Sequence, residues 1–277
     1  MKNAKKHVAL VCPGGPITRN LADKVVEIAA DYCDQALQLH FHNQCFEIAG
    51  HFAGTDAARS EAFLEVANDP NYDAVWFARG GYGACRLDDA IFGNLNGSAL
   101  QKQYLGYSDT GVLLARLYSE KIGQPVHGPM PTDLPRDGGD VAIKRALDFL
   151  AGQGEKSIER SIRSDTKHVA FNITVLSHMI SAPWMPDFSD HVVMLEDVSE
   201  YLYCIDRSMF TIMSSPSMKS VAGIKLGRVS DVPKNDREFG QSDEEIIQYW
   251  CARSGIPYLG RADIGHDSDN KIVPFGP

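Results

Sequence analysis

The chain has little of what would place it in several large classes. Its six cysteines (Cys12, Cys33, Cys45, Cys85, Cys204 and Cys251) form no C-x-x-C pair, and none lies near another. They read as free thiols, mostly buried, in a reducing compartment. No apolar run approaches the about 20 residues of a membrane-spanning helix. Met1 to Lys6 is basic, but Val8 to Cys12 behind it is too short for a signal peptide and stops at Pro13-Gly14-Gly15-Pro16. No basic run is interleaved with aromatics, and 27 Lys+Arg against 36 Asp+Glu leave a net charge of −9. That balance argues against nucleic acid or an anionic membrane as partner. H-E-x-x-H is missing; His40, His42 and His51 lie close in sequence but offer no convincing ligand set, so no metal is expected. G-x-G-x-x-G and G-K-[ST] are missing as well, as are repeats and low-complexity segments. A cytoplasmic protein of one large or two small domains is what these absences leave.

What is present begins with alternation. Val8 to Cys12, Ala36 to Phe41, Asp73 to Ala78, Gln103 to Gly106 and Pro125 to His127 read as strands. Helical patterns stand between them: one with Leu21, Val25, Ile28 and Ala29, one capped by Thr55 or Asp56, a short one with Leu87 and Ile91, and one over 110–122. Strand and helix in turn predict an α/β fold with a doubly wound parallel sheet. A helix over Ala142 to Leu150 follows, and the polar stretch near 151–167 reads as a linker. Beyond it, strands at His191 to Leu195 and Val221 to Leu226 mix with helices at Phe171 to Ile180, Asp206 to Met213 and Asp243 to Ala252. This predicts a smaller α+β domain over 165–277, after a first domain over 1–155.

Four stretches have the means for chemistry. Tyr104-Leu105-Gly106-Tyr107-Ser108-Asp109 sets a serine between a strand end and a helix start, where a nucleophile is displayed over unpaired N–H groups. Ser108 or Asp109 could equally just cap that helix. Arg79-Gly80-Gly81-Tyr82-Gly83 ends the preceding strand, and its free N–H groups could line an oxyanion hole beside Ser108, because parallel strands deliver their C-terminal ends to one edge. Glu196-Asp197 follows a buried strand and is either functional or a solvated strand end. His266 follows Gly265 in a loop and is either a base or an ordinary satisfied histidine. A serine hydroxyl needs a base, and the base needs an orienting acid, so Ser108, Glu196 and His266 together form a candidate triad.

The stretches Phe52-Ala53-Gly54-Thr55, Arg79 to Gly83, Gly106 to Asp109, His127-Gly128-Pro129-Met130, Leu195-Glu196-Asp197, Ile205-Asp206-Arg207 and Gly265-His266 with Asn270 and Pro274 resemble the L,D-carboxypeptidase family of murein tetrapeptidases. The resemblance implies a Rossmann-like first domain, a β-rich second domain, a homodimer, and a serine peptidase without metal or cofactor. It places Ser108 as nucleophile, Glu196 as acid and His266 as base. Asp109 and Gly81 would supply the oxyanion N–H groups, and Arg79, Gly80 and Asn172 would meet a murein peptide. Arg79 could alternatively only brace the glycine loop. Where the family often has Gly-Gly-Asn, this chain has Ala170-Phe171-Asn172, which would narrow a cleft lined by that segment. The family's immunity branch, which cleaves aminoacyl-nucleotide antibiotics, bears a tryptophan loop. The tryptophans here are Trp76, Trp184 and Trp250, none of them between Gly128 and His168 where that loop is expected.

Overall fold

The structure, a computed structural model, describes residues 5–33 and 36–277; the first four residues of the basic start lie outside them. The first half lays down β1 (Lys6–Val11), α1 (Arg19–Tyr32), β2 (Leu37–Phe41), α2 (Asp56–Asn68), β3 (Ala74–Phe77), α3 (Ala90–Gly93), β4 (Gln103–Gly106), α4 (Gly111–Ser119), β5 (Gln124–His127) and α5 (Gly139–Ala151). Strands β1 to β5 are parallel, in the order β5-β4-β3-β1-β2. The first strand is apolar without alternation because both its faces are covered. Val8 and Leu10 belong to the core under α1 and α5, while Ala9 and Val11 belong to the core under α2 and α4. The strand order reverses between β1 and β3, the point in such sheets where ligand crevices open at the C-terminal ends.

The second half runs β6 (Lys167–Asn172), α6 (Ile173–Met179), β7 (His191–Val198), α7 (Leu202–Ser214), β8 (Gly223–Ser230), α8 (Asp243–Ser254), β9 (Tyr258–Arg261) and β10 (Val273–Pro274). Its sheet, β6-β7-β8-β9, is parallel throughout, so it repeats the βα alternation of the first half rather than mixing strand directions. The helix expected from Phe171 starts at Ile173. Residues 167–172 are a strand, and Asn172 caps the helix by accepting from the Val175 N–H at 3.0 Å.

The short β10 belongs to the first sheet. It pairs antiparallel with β5, Val273 opposite His127, as a sixth strand. The chain after the expected linker therefore returns to the first domain, and one apolar core runs through residues of both sheets. Cys12, Cys45 and Cys251 are buried, but Cys33 and Cys204 are half-buried and Cys85 is exposed, so burial of the thiols holds for half of them. No helix among the described residues is long and apolar enough to cross a membrane.

Candidate functional site

Ser108 stands in the tight turn between β4 and α4 with φ +60°. A non-glycine residue in the left-handed region is strained, and the strain lifts its side chain off the sheet. Capping does not explain it. Thr110 holds the N-cap position of α4, without a side-chain capping bond, and the Asp109 carboxylate turns away to accept the Ala84 N–H at 2.8 Å. Burial pushes the Asp109 carboxyl up to about 6, against the pull of that hydrogen bond and of the Arg59 charge. Gly80 lies directly over the turn: a Cβ there would be 3.4 Å from both the Ser108 Cβ and the Asp109 nitrogen. Ser108 and the glycine loop thus meet at one edge, as parallel strands require. Neither the Asp109 nor the Gly81 N–H donates to a protein acceptor among the described residues.

Two further parts of this edge carried little sequence signal. The loop Pro13–Pro16, at the end of β1, is stitched to the glycine loop by Gly15 N–H to Gly80 O (3.1 Å), and to residue 53 by Ala53 N–H to Gly14 O (2.9 Å). Its P-G-G-P punctuation at a strand end was a usable sign. Arg59 was not legible: it is buried on α2, donates to the Pro13 and Gly83 carbonyls, pairs with Asp56 and stacks on Phe52 at 4.7 Å. It ties the segments at Pro13, Phe52 and Gly83 together.

Glu196 and His266 come together from the other half. Glu196 is fully buried near the end of β7, and its Oε2 lies 2.5 Å from His266 Nδ1. A bulge in the β7–β8 pairing falls here, with Glu196 of β7 opposite two residues of β8, Gly227 and Arg228. Gly227 sits in the bulge because nothing larger fits: a Cβ would come 2.6 Å from Ile264 and 3.1 Å from Glu196. The loop carrying His266 can therefore press against the acid. Burial alone would lower the His266 pKa, but the charge and hydrogen bond of Glu196 outweigh it, and the net shift is upward from 6.5.

The imidazole is held on its other sides as well. Its ring centroid lies 4.7 Å from that of Tyr107, the residue before Ser108. The Tyr107 hydroxyl donates to Asp133 at 2.6 Å; Asp133 pairs with Arg136 at 3.3 Å, and Arg136 donates to the His266 carbonyl. A serine on a strained turn, one residue after the tyrosine packed on a buried acid–imidazole pair, has the makings of nucleophilic catalysis.

The profile of the LD-carboxypeptidase N-terminal domain matches residues 8–128, and that of the C-terminal domain matches residues 167–277. A carboxypeptidase-designated protein of Synechocystis sp. is 32% identical over 97% of this chain and 89% of its own length. The chain belongs to the LD-carboxypeptidase family. The murein tetrapeptide carboxypeptidase of Pseudomonas aeruginosa is 26% identical over 97% of the chain and 91% of its own. Among solved structures, the muramoyltetrapeptide carboxypeptidase from Oxalobacter formigenes superposes with a TM-score of 0.78 at 24% identity, covering 97% of this chain and 93% of that one. The microcin C7 self-immunity protein MccF does so with 0.73 at 18% identity, over 98% and 96%. Both share the fold.

Against this LD-carboxypeptidase framework, the remaining expected contacts separate. Arg79 is exposed and donates to the Pro16 carbonyl at 2.8 Å, so it braces the loop. Asn172 is buried and both ends of its amide are engaged: Nδ2 donates to Asp197 at 2.7 Å and Oδ1 accepts from Val175. Ala170 and Phe171 are also buried, with Phe171 packed on Phe188 and Phe275, so these larger side chains fill core rather than line an open cleft. His40 pairs with His7 and His42 with Glu65, while His51 meets Phe52 edge-to-face; the three do not converge. No group of three metal-ligating side chains occurs among the described residues.

Proposed function

We propose that this protein is a serine carboxypeptidase that hydrolyses an L,D peptide bond, releasing the terminal D-Ala of a murein tetrapeptide in the cytoplasm during cell-wall recycling. The observation that carries the chemistry is the buried 2.5 Å contact of Glu196 with His266 Nδ1, across the edge from a serine held at φ +60°. Glu196 accepts from Nδ1–H and leaves Nε2 free to take the Ser108 proton. Ser108 Oγ then attacks the scissile carbonyl. The Asp109 and Gly81 N–H groups receive the oxyanion, and the imidazolium returns its proton to the leaving amine. Water repeats the sequence on the acyl-enzyme. The spare donors of the Arg79 guanidinium offer the terminal carboxylate a bidentate partner. The chain works as a homodimer in this reading.

The substrate part of the reading rests on the named relatives, and one assay tests it. Incubation with L-Ala-D-Glu-meso-diaminopimelate-D-Ala should release D-Ala, and activity should survive EDTA. Cleavage of an aminoacyl sulfamoyl nucleoside with the tetrapeptide untouched would assign the protein to the immunity branch instead.

The base must be neutral to act, so kcat/KM should fall on the acid side through an apparent pKa above 6.5, the direction in which His266 is displaced. Glu196, Asp133 and Arg136 are the charged groups that act on the imidazole. The stability linkage has the opposite sense. A histidine whose folded pKa is raised contributes stability below its unfolded pKa and loses it as pH rises through the folded value. A pH–rate profile whose acid limb sits below 6.5 would contradict the assignment.

A further inference from the structure

A second histidine lies in the same edge, and the triad leaves it unused. His127, at the end of β5, is buried, with its Nε2 3.0 Å from Asn270 Oδ1. The same Asn270 oxygen accepts the N–H of Gly265 at 3.2 Å, and Gly265 directly precedes His266. A backbone N–H can only donate, which fixes the amide so that its oxygen faces both partners. An amide oxygen can only accept, so His127 Nε2 carries the proton. His127 is thus committed as a donor through that nitrogen. Burial drives its pKa down to about 4, so it places no charge against the His266–Glu196 pair at working pH.

Connectivity gives this bond its meaning. Gly106, two residues before Ser108, is in register with His127, and His127 is in register with Val273. One row of the first sheet therefore runs from the serine's strand through His127 to the segment that follows His266. Asn270 is fixed at its own carbonyl by Arg145 at 3.0 Å. We propose that His127 and Asn270 form a latch that sets the position of His266 against Ser108, both acting as positioning residues. The proposal rests on His266 being the base of the reaction described above.

The test follows labelling of Ser108 by a fluorophosphonate, together with kcat and KM for D-Ala release and the thermal midpoint. His127→Phe removes the donor and should lower kcat and the labelling rate by about 10²-fold, the scale of a misplacement near 1 Å, with KM held within about threefold. His127→Gln keeps an N–H near the Nε2 position and should recover most of the rate. The double variant His127→Phe/Asn270→Ala should lose no more than the worse of the two single changes, because both break one link. Wild-type labelling of His127→Phe, or additive losses, would overturn the latch. If His127→Phe does not fold, His127→Asn against His127→Gln decides: asparagine is too short to reach Asn270 and must lose the rate that glutamine keeps, and equal rates reject the proposal. A wild-type enzyme that leaves Ser108 unlabelled would instead remove the serine chemistry beneath it.

Discussion

Ser108→Ala is expected to fold as the wild type does and to lose about 10³- to 10⁶-fold in turnover, the range measured when a triad nucleophile is removed. The fold should not notice the change. The Ser108 hydroxyl makes no hydrogen bond among the described residues, and alanine has the same Cβ at the same φ. A substitution of this kind away from packing and caps stays within about 0.5 kcal/mol. What is lost is the atom that attacks. D-Ala release under single-turnover conditions, beside the thermal midpoint, measures both halves of the expectation. More than a tenth of wild-type turnover would take Ser108 out of the mechanism.

Glu196→Gln and Asp197→Asn should separate chemistry from architecture at neighbouring positions. Successive strand residues face opposite sides, and here the two carboxylates do different work. Among the described residues the only side chain hydrogen-bonded to Glu196 is the imidazole, and its second oxygen, buried, has no partner. A glutamine can present N–H to Nδ1 and hold the imidazole in the wrong tautomer; the corresponding change in a serine protease costs about 10⁴ in kcat. The acid limb of the pH profile should also move below 6.5 in this variant, because burial then acts on His266 without its main counterweight.

Asp197 accepts from Asn172 Nδ2, from the backbone and hydroxyl of Thr174, and from its own neighbour Val198. Burial and the nearby Glu196 charge push its carboxyl up to about 6. An asparagine there sets donor against donor and should cost about 1–3 kcal/mol of stability, with kcat within a few-fold. Steady-state kinetics and thermal melts of the pair check this. A crippled but stable Asp197→Asn beside a near-normal Glu196→Gln would exchange the roles.

The parts of the molecule visible in the sequence are those where local pattern and burial agree. Strand β4 ends in glycine, and the short apolar runs of β1 and β3 are each followed by a glycine three residues on; their common edge follows from parallel pairing. The serine turn and the glycine loop could be placed together from that argument. Strands β6, β9 and β10 were not seen. Lys167–Asn172 runs without a break into the apolar α6, so its strand is masked by the helix. Tyr258–Arg261 is short and half-exposed, and Val273–Pro274 has two residues. With those strands missing, the alternation of the second half was hidden.

Asn172 shows a different limit. A motif match put it at the substrate; in the fold each end of its amide has a partner, Oδ1 capping α6 and Nδ2 holding Asp197. Arg59, Asp133 and Arg136 reach partners distant in the chain that nothing in their own neighbourhoods announces, and Asn270 was visible only as part of a motif match.

The sixth strand of the first sheet has a consequence for synthesis. β10 is made after every other described strand, yet it completes a sheet whose other members all lie in the first half; His127 and Asn270 are 143 positions apart. At ribosomal speeds, that stretch takes about 7–30 s to emerge. For that interval β5 is an open edge, the kind that invites pairing with a foreign strand. It is a short one, Gln124-Pro125-Val126-His127, and Pro125 has no N–H to offer such a partner. When β10 docks, the new outer edge again carries a proline, Pro274. The docking step also brings in the segment after His266, so under the proposed mechanism a growing chain would hold Ser108 apart from its base until the β5 edge has been covered.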